Sequence, residues 1–135
     1  MVKQALVDTD ILSMFFRENL NVVTRFGEYL QEYGRVSLSI VTYYEIVSGL
    51  KHRDARKQLD AFLDFAGHNV VLPLTEHSTA ISADVYASLR KKGQPLDDID
   101  LLIAGVALAN GLVLVTHNTG HFGKIEGLEI EDWSQ

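Results

Sequence analysis

The sequence predicts a three-layer α/β/α sandwich built on a central, mostly parallel sheet of about five strands. Three observations carry that reading. Short apolar runs near residues 4–7, 36–41, 70–74, 112–116 and 128–133 alternate with stretches of helical periodicity. The runs Ala5-Leu6-Val7 and Leu112-Val113-Leu114-Val115 are apolar throughout, as strands buried on both faces are. Both then stop abruptly, the first at Asp8-Thr9-Asp10 and the second at Thr116-His117-Asn118. Strands joined through helices imply right-handed crossovers, and such sheets gather ligands beyond the carboxyl ends of their strands where the strand order reverses. The first and fourth strands are natural neighbours, so the crevice is expected where they end side by side.

The elements follow in order. Residues 9–16 suit a short helix after the first strand, and Val22, Val23, Phe26, Tyr29, Leu30 and Tyr33 recur at helical spacing up to Gly34, a stop that tolerates the left-handed cap. Residues 36–41 alternate Val, Leu and Ile with Ser37 and Ser39, as a second strand does. Residues 42–50 and 55–66 read as two helices, with Thr42 and Glu45 spaced as a capping box. Pro73 places the third strand, residues 70–74, near an edge, because proline cannot donate to a central ladder. Residues 76–92 are helical up to Gly93; residues 97–110 form a helix apolar almost all round, the pattern of a buried one. A loop at residues 117–124 leads to a last short strand with Glu129, Glu131 and Asp132 on its wet side.

With 135 residues and 47% hydrophobic content, the chain is expected to form a single domain spanning residues 1–135. It has no cysteine, which excludes disulfides and zinc-thiolate sites and suits a reducing compartment. No run approaches the roughly 18 apolar residues of a spanning helix, and no signal-peptide pattern opens the chain, so a soluble cytoplasmic protein is expected. Twelve Lys and Arg against eighteen Asp and Glu give a formal charge of −6, which argues against a polyanionic partner unless acids are neutralised by metal. The bases cluster at Lys51, His52, Arg53, Arg56 and Lys57 and at Arg90, Lys91 and Lys92, where solvated helix surface is the plainer reading.

The acids are the informative residues. Asp8 is placed equally well to cap the following helix and to serve as a ligand at the end of the first strand, with Asp10 as the competing cap. Glu45 falls in the first turn after the second strand, where capping and ligation compete for one carboxylate. Asp97, Asp98 and Asp100 open the buried helix, where negative charge is favoured by the helix dipole. Asp100 shares an inward stripe with Ile103, Ala104 and Ala107, a costly position for an acid unless it is paired or bound to a cation. Carboxylates from separate segments meeting in one crevice repel unless neutralised. With no cysteine, these carboxylates make an all-oxygen ligand set, which suits Mg2+ or Mn2+ and phosphoryl chemistry.

These residues resemble a known family in their order and spacing across essentially the whole chain. The matching segments are Leu6-Val7-Asp8-Thr9-Asp10-Ile11-Leu12, Ser39-Ile40-Val41-Thr42 leading to Glu45 and Gly49, and Asp100-Leu101-Leu102-Ile103-Ala104. They continue with Leu114-Val115-Thr116, Asn118 and Phe122, and close with residues 127–133. The sequence is similar to PIN-domain ribonucleases of the VapC toxin type, the toxic half of VapBC toxin-antitoxin modules. The resemblance implies Mg2+-dependent cleavage of structured RNA, such as a transfer RNA or a ribosomal RNA loop, leaving 5′-phosphate and 3′-hydroxyl ends. It implies that Asp8, Glu45 and Asp100 are catalytic metal ligands. The family's fourth position falls on Asn118, a neutral amide where an acid is common, and the position before Phe122 is His121 rather than an acid, so a full second metal site is in question. Asp97 is implied as an outer support, and Thr9 and Thr116 as residues that position water or phosphate. Lys51, Arg53, Arg56 and Lys57 would steer RNA. The resemblance also implies a homodimer and a cognate VapB-type antitoxin lying across the early helices, with Phe15, Phe16, Tyr43 and Tyr44 as groove or core residues. DNA reading belongs to the antitoxin.

Two other readings remain open at this level. The run Asp8-Thr9-Asp10 with Asp97-Asp98 is also similar to a small haloacid-dehalogenase-type phosphatase, although no strand precedes Asp97. A degenerate PIN module that binds RNA or a protein without cutting is the alternative that Asn118 favours.

Overall fold

The computed structural model describes residues 2–135. Five parallel strands run in the order β3-β2-β1-β4-β5. They are β1 (Ala5–Val7), β2 (Ser37–Ser39), β3 (Val70–Leu72), β4 (Val113–Val115) and β5 (Ile130–Glu131). The helices are α1 (Thr9–Phe16), α2 (Leu20–Tyr33), α3 (Ile40–His52), α4 (Arg56–Gly67), α5 (Glu76–Lys91), α6 (Asp98–Ala109) and the single turn α7 (Thr119–Phe122). The chain winds outward from β1 through β2 to β3, then returns to lay β4 on the other side of β1. The order therefore reverses between β1 and β4, where Leu6 pairs with Leu114 and Val7 with Val115. Pro73 follows an edge strand, as expected.

The pleat divides the core between the two faces of the sheet. Ala5, Val7, Val113 and Val115 point to one side, against Ile11, Val22, Phe26, Tyr29, Phe62 and Trp133. Leu6 and Leu114 point to the other, against Leu89, Ile103, Ala104, Val106 and Phe122. This alternation is why β1 and β4 are apolar at every position. Helix α6 fits closely on α5 through Gly105, where an added Cβ would meet the Ser82 hydroxyl and approach the Ser78 carbonyl to 2.5 Å. The Ser82 hydroxyl donates to the Leu101 carbonyl at 2.7 Å and ties the two helices together.

Several boundaries depart from the expected ones. Helix α3 begins at Ile40, two residues before Thr42, because the Ser39 hydroxyl caps it by accepting from the Thr42 amide at 3.0 Å. The expected capping box of Thr42 and Glu45 is therefore absent. The loop at residues 117–124 contains the helical turn α7. The last strand shrinks to two residues; Asp132 is turned inward rather than lying on a wet face, and Trp133 is buried against Phe26 and Tyr29.

Candidate active site

Asp8 leaves β1 at the reversal point, and its amide still donates to the Val115 carbonyl at 2.9 Å, so the β1–β4 ladder fixes its position. It is the N-cap of α1, with one carboxylate oxygen accepting from the Thr9 amide and the other from the Thr116 hydroxyl, both at 2.8 Å. Burial, then the nearby charges of Asp10 and Asp100, push its carboxyl up to about 7 against the opposing bonds from Thr116 and Thr9. Of the two competing caps, Asp8 is the one that starts α1. Asp10 instead accepts from the Ile11 amide at 2.8 Å and the His117 amide at 3.1 Å, bracing the start of α1 against the loop after β4. Burial raises the Asp10 carboxyl despite those two amides. His117 in turn donates from Nδ1 toward Asp132 at 2.9 Å, and Asp132 also accepts from the Ser134 hydroxyl and amide. Burial alone would raise Asp132, but Ser134 and His117 outweigh it and hold that carboxyl below its ordinary value.

Glu45 projects from the second turn of α3, released from capping by Ser39. Its Oε1 accepts from the Thr9 hydroxyl at 2.6 Å. With its single proton directed to Glu45, Thr9 receives the buried Thr42 hydroxyl at 3.1 Å. Thr9 thus stands between two acids, its amide on Asp8 and its hydroxyl on Glu45. Thr116, fully buried, plays the matching part on the other side, donating to Asp8 and accepting from the Asn118 amide at 3.0 Å.

Asp100 arrives from the first turn of α6, its side chain 20% exposed above the buried Ile103, Ala104 and Ala107. His121 Nδ1 lies 3.3 Å from its Oδ2 and 2.8 Å from the Asn118 side-chain amide. Bonds run from Asp8 through Thr116 to Asn118, and His121 Nδ1, standing between Asn118 and Asp100, either accepts from the amide or donates to the carboxylate according to its tautomer. Asp97 is exposed at the N-cap of α6 with no side-chain capping bond, and Asp98 is exposed beside it, so neither joins this group.

The basic residues near 51–57 are divided by the turn that joins α3 to α4. Arg53 and Lys57 rim a groove of about 620 Å³ between α1, α3 and α4, whose walls include Phe16, Ile46, Leu50 and Phe62. Lys51 and Arg56 lie instead on a separate shallow depression beside Asp54 and Leu59. Arg17 stands on the groove rim and was not selected from sequence, because it is an isolated base directly after Phe15-Phe16. Phe16 lines the groove, Phe15 stacks on Phe26, Tyr43 packs on Phe62, and Tyr44 is 64% exposed. Arg90 lies over the Tyr86 ring at 4.6 Å.

The donor chemistry fits a hard divalent cation. Asp8, Glu45 and Asp100 present oxygen from three separate segments, and the Asp8 carboxyl, raised by burial and then by the charges of Asp10 and Asp100, would be relieved by a cation. Among the described residues, no three acidic or histidine side chains already stand close enough to form a closed metal shell. Among the described residues the buried side-chain polar atoms all have partners, and the threonines keep the Asp8 and Glu45 carboxylates hydrogen-bonded.

A parallel α/β/α sandwich that reverses strand order between β1 and β4, with an acidic crevice at that point, defines the class of this protein. Residues 5–128 match the PIN domain family. The chain belongs to that family and is of the VapC type. It is 32% identical over 102 residues to the tRNA(fMet)-specific endonuclease VapC of Shigella flexneri, covering 75% of this chain and 77% of that one. It is 28% identical over 134 residues to ribonuclease VapC1 of Methanocaldococcus jannaschii, covering 94% and 86%. The DNA-bound VapBC structure from Salmonella typhimurium superposes with a TM-score of 0.85 at 28% identity, covering 98% of this chain and 99% of that one.

Proposed function

We propose that this chain is the toxin of a VapBC-type module, a Mg2+-dependent endoribonuclease acting on structured RNA, with the whole of residues 1–135 working as one PIN domain. The observation that supports the reading is that Thr9 links Asp8 to Glu45, and that the Asp100 charge reaches Asp8, at the reversal point of a PIN-type sheet. Transfer RNA is the favoured substrate class, supported by relatives in Shigella flexneri and Salmonella typhimurium that are named tRNA(fMet)-specific endonucleases. Mg2+, or Mn2+ in its place, would be held by Asp8, Glu45 and Asp100; when bound it supplies Lewis acidity to a phosphodiester and lowers the pKa of water. The chain's own residues orient that chemistry. Thr116 fixes one face of Asp8, Thr9 aims Glu45, and Asn118 carries an amide able to orient water without adding charge.

The partner we infer is a VapB-type antitoxin, as in the VapBC complexes to which the fold is similar. The groove between α1, α3 and α4 suits its segment: the walls are apolar, and Arg17, Arg53 and Lys57 on the rim complement acidic side chains. RNA steering by the bases is then shared between this rim and the separate Lys51 and Arg56 surface. We further propose a homodimer working in the cytoplasm; no helix among the described residues is long and apolar enough to cross a membrane.

The second reading is a module that binds RNA without cutting it, favoured by the neutral Asn118 and by the open arrangement of the acids. One experiment separates the two. Expression without antitoxin should arrest growth for wild type and not for Asp8→Asn or Asp100→Asn, and mapped 5′ ends should reveal discrete cuts. Arrest that persists in both variants refutes the nuclease.

A further inference from the structure

We propose that Asp100, Asn118 and His121 form a cation site with one nitrogen ligand, and that this site takes Mn2+ in preference to Mg2+. The proposal deepens the reading above, since it rests on Asp100 being a metal ligand there. His121 is the residue that reading leaves without a role. It is half exposed, yet its Nδ1 is directed inward, 3.3 Å from Asp100 Oδ2 and 2.8 Å from the Asn118 side-chain amide.

Those spacings match ligands that share an ion. In an octahedral shell with bonds of roughly 2.1 Å, neighbouring ligands lie about 3 Å apart, the bond length times the square root of two. His121 already stands at about that separation from both Asp100 of α6 and Asn118 at the start of the turn α7. A 180° rotation of the Asn118 amide exchanges its nitrogen for its oxygen at the same place, so it presents a neutral oxygen donor at no cost in position. The Asn118 backbone is fixed by its bond to the Thr116 hydroxyl at 3.0 Å, and Phe122 anchors the turn in the core. The resulting set is one carboxylate oxygen, one amide oxygen and one imidazole nitrogen.

The nitrogen decides the metal. Mg2+ takes oxygen almost exclusively, whereas imidazole suits transition ions, whose affinity for such sites rises from Mn2+ onward. Asn118 and His121 stand where acids would make an all-oxygen site, and the exchange trades negative charge for a softer donor. Asp8, which feels the Asp100 charge, and Glu45 supply only oxygen. The preference for Mn2+ thus traces to His121 alone.

The test uses the full chain and Mn2+ as the probe. Electron spin echo envelope modulation of bound Mn2+ should show nitrogen-14 coupling in wild type. The coupling should be lost in His121→Gln and kept in His117→Gln, whose ring is held by Asp132 instead. Labelling histidine with nitrogen-15 in the wild-type protein should convert the signal to the nitrogen-15 pattern, a readout that does not depend on any variant folding. His121→Gln should weaken Mn2+ about tenfold or more while changing Mg2+ affinity less than about twofold. Mn2+ that binds without histidine nitrogen coupling overturns this inference and leaves the carboxylate site standing. No Mn2+ bound at all overturns both.

Discussion

Replacing Asp8 by Asn should make the metal-free protein more stable at neutral and alkaline pH. The ordinary aspartate value is 3.8, and in the folded protein burial and the charges of Asp10 and Asp100 raise it to about 7. Between these values the folded state binds more protons at Asp8 than the unfolded state does. The contribution of this group to stability is therefore fully present below about pH 4 and is lost as pH rises through about 7. Three pK units at about 1.4 kcal/mol each give an upper bound of about 4 kcal/mol. Asparagine removes that charge and keeps the contacts: its oxygen accepts from the Thr9 amide, and its amide donates to Thr116, whose hydroxyl then accepts twice. The exchange of one charged hydrogen bond for a neutral one offsets about 1 to 2 kcal/mol. A net gain of about 2 to 3 kcal/mol remains, or roughly 6 to 10 °C in Tm for a chain of this size. Urea and thermal unfolding in chelator, from pH 5 to 8.5, measure it. Wild-type stability should fall across that range relative to the variant, and Mg2+ should restore wild type while leaving the variant unmoved. A variant no more stable than wild type at pH 8 in chelator would refute the account of Asp8 as a strained, cation-seeking acid.

Two further outcomes follow from the packing around the site. Gly105→Ala should lose about 1 to 3 kcal/mol in urea unfolding, because its Cβ has the rigid Ser78 carbonyl at 2.5 Å, and the shift of α6 should move Asp100 and weaken Mg2+ binding as well. Thr9→Val keeps the shape of the side chain but removes the hydroxyl that holds Glu45 at 2.6 Å and receives the buried Thr42 hydroxyl, so stability should fall by about 1 to 3 kcal/mol while Mg2+ affinity, read by calorimetry, drops about tenfold to a hundredfold.

The sheet was legible because its signal is local. Apolar runs ending at Asp8 and Thr116 identify β1 and β4, and Pro73 marks an edge, so the reversal point follows from pattern and handedness. Asp100 was legible for the same reason, as an acid on a stripe otherwise buried. The start of α3 was misplaced because two capping residues compete within four positions, and nothing local decides that Ser39 takes the Thr42 amide. The pairs Asp10 with His117, His117 with Asp132, and Asp100 with His121 span 107, 15 and 21 residues. No periodicity reports them, since they exist only once β4 lies beside β1 and β5 beside β4. The division of Lys51 and Arg56 from Arg53 and Lys57 is likewise set by the turn after α3, which a linear cluster of bases conceals.

Capping and ligation are alternatives in sequence, but the structure resolves them differently for the two acids. For Glu45 they do compete, and Ser39 removes the competition by moving the helix start two residues earlier, which places Glu45 a turn further along α3 and within reach of Thr9. For Asp8 they coexist. Each of its oxygens accepts one hydrogen bond, to Thr9 or Thr116, and a carboxylate oxygen has a second lone pair. The same cap that starts α1 therefore holds the carboxylate at the crevice with lone pairs to spare. Two buried or half-buried threonines, each bonded to an acid and to a second element, keep the carboxylates in place before any cation arrives, and the raised Asp8 carboxyl, pushed up first by burial and then by its acidic neighbours, is the cost of that arrangement.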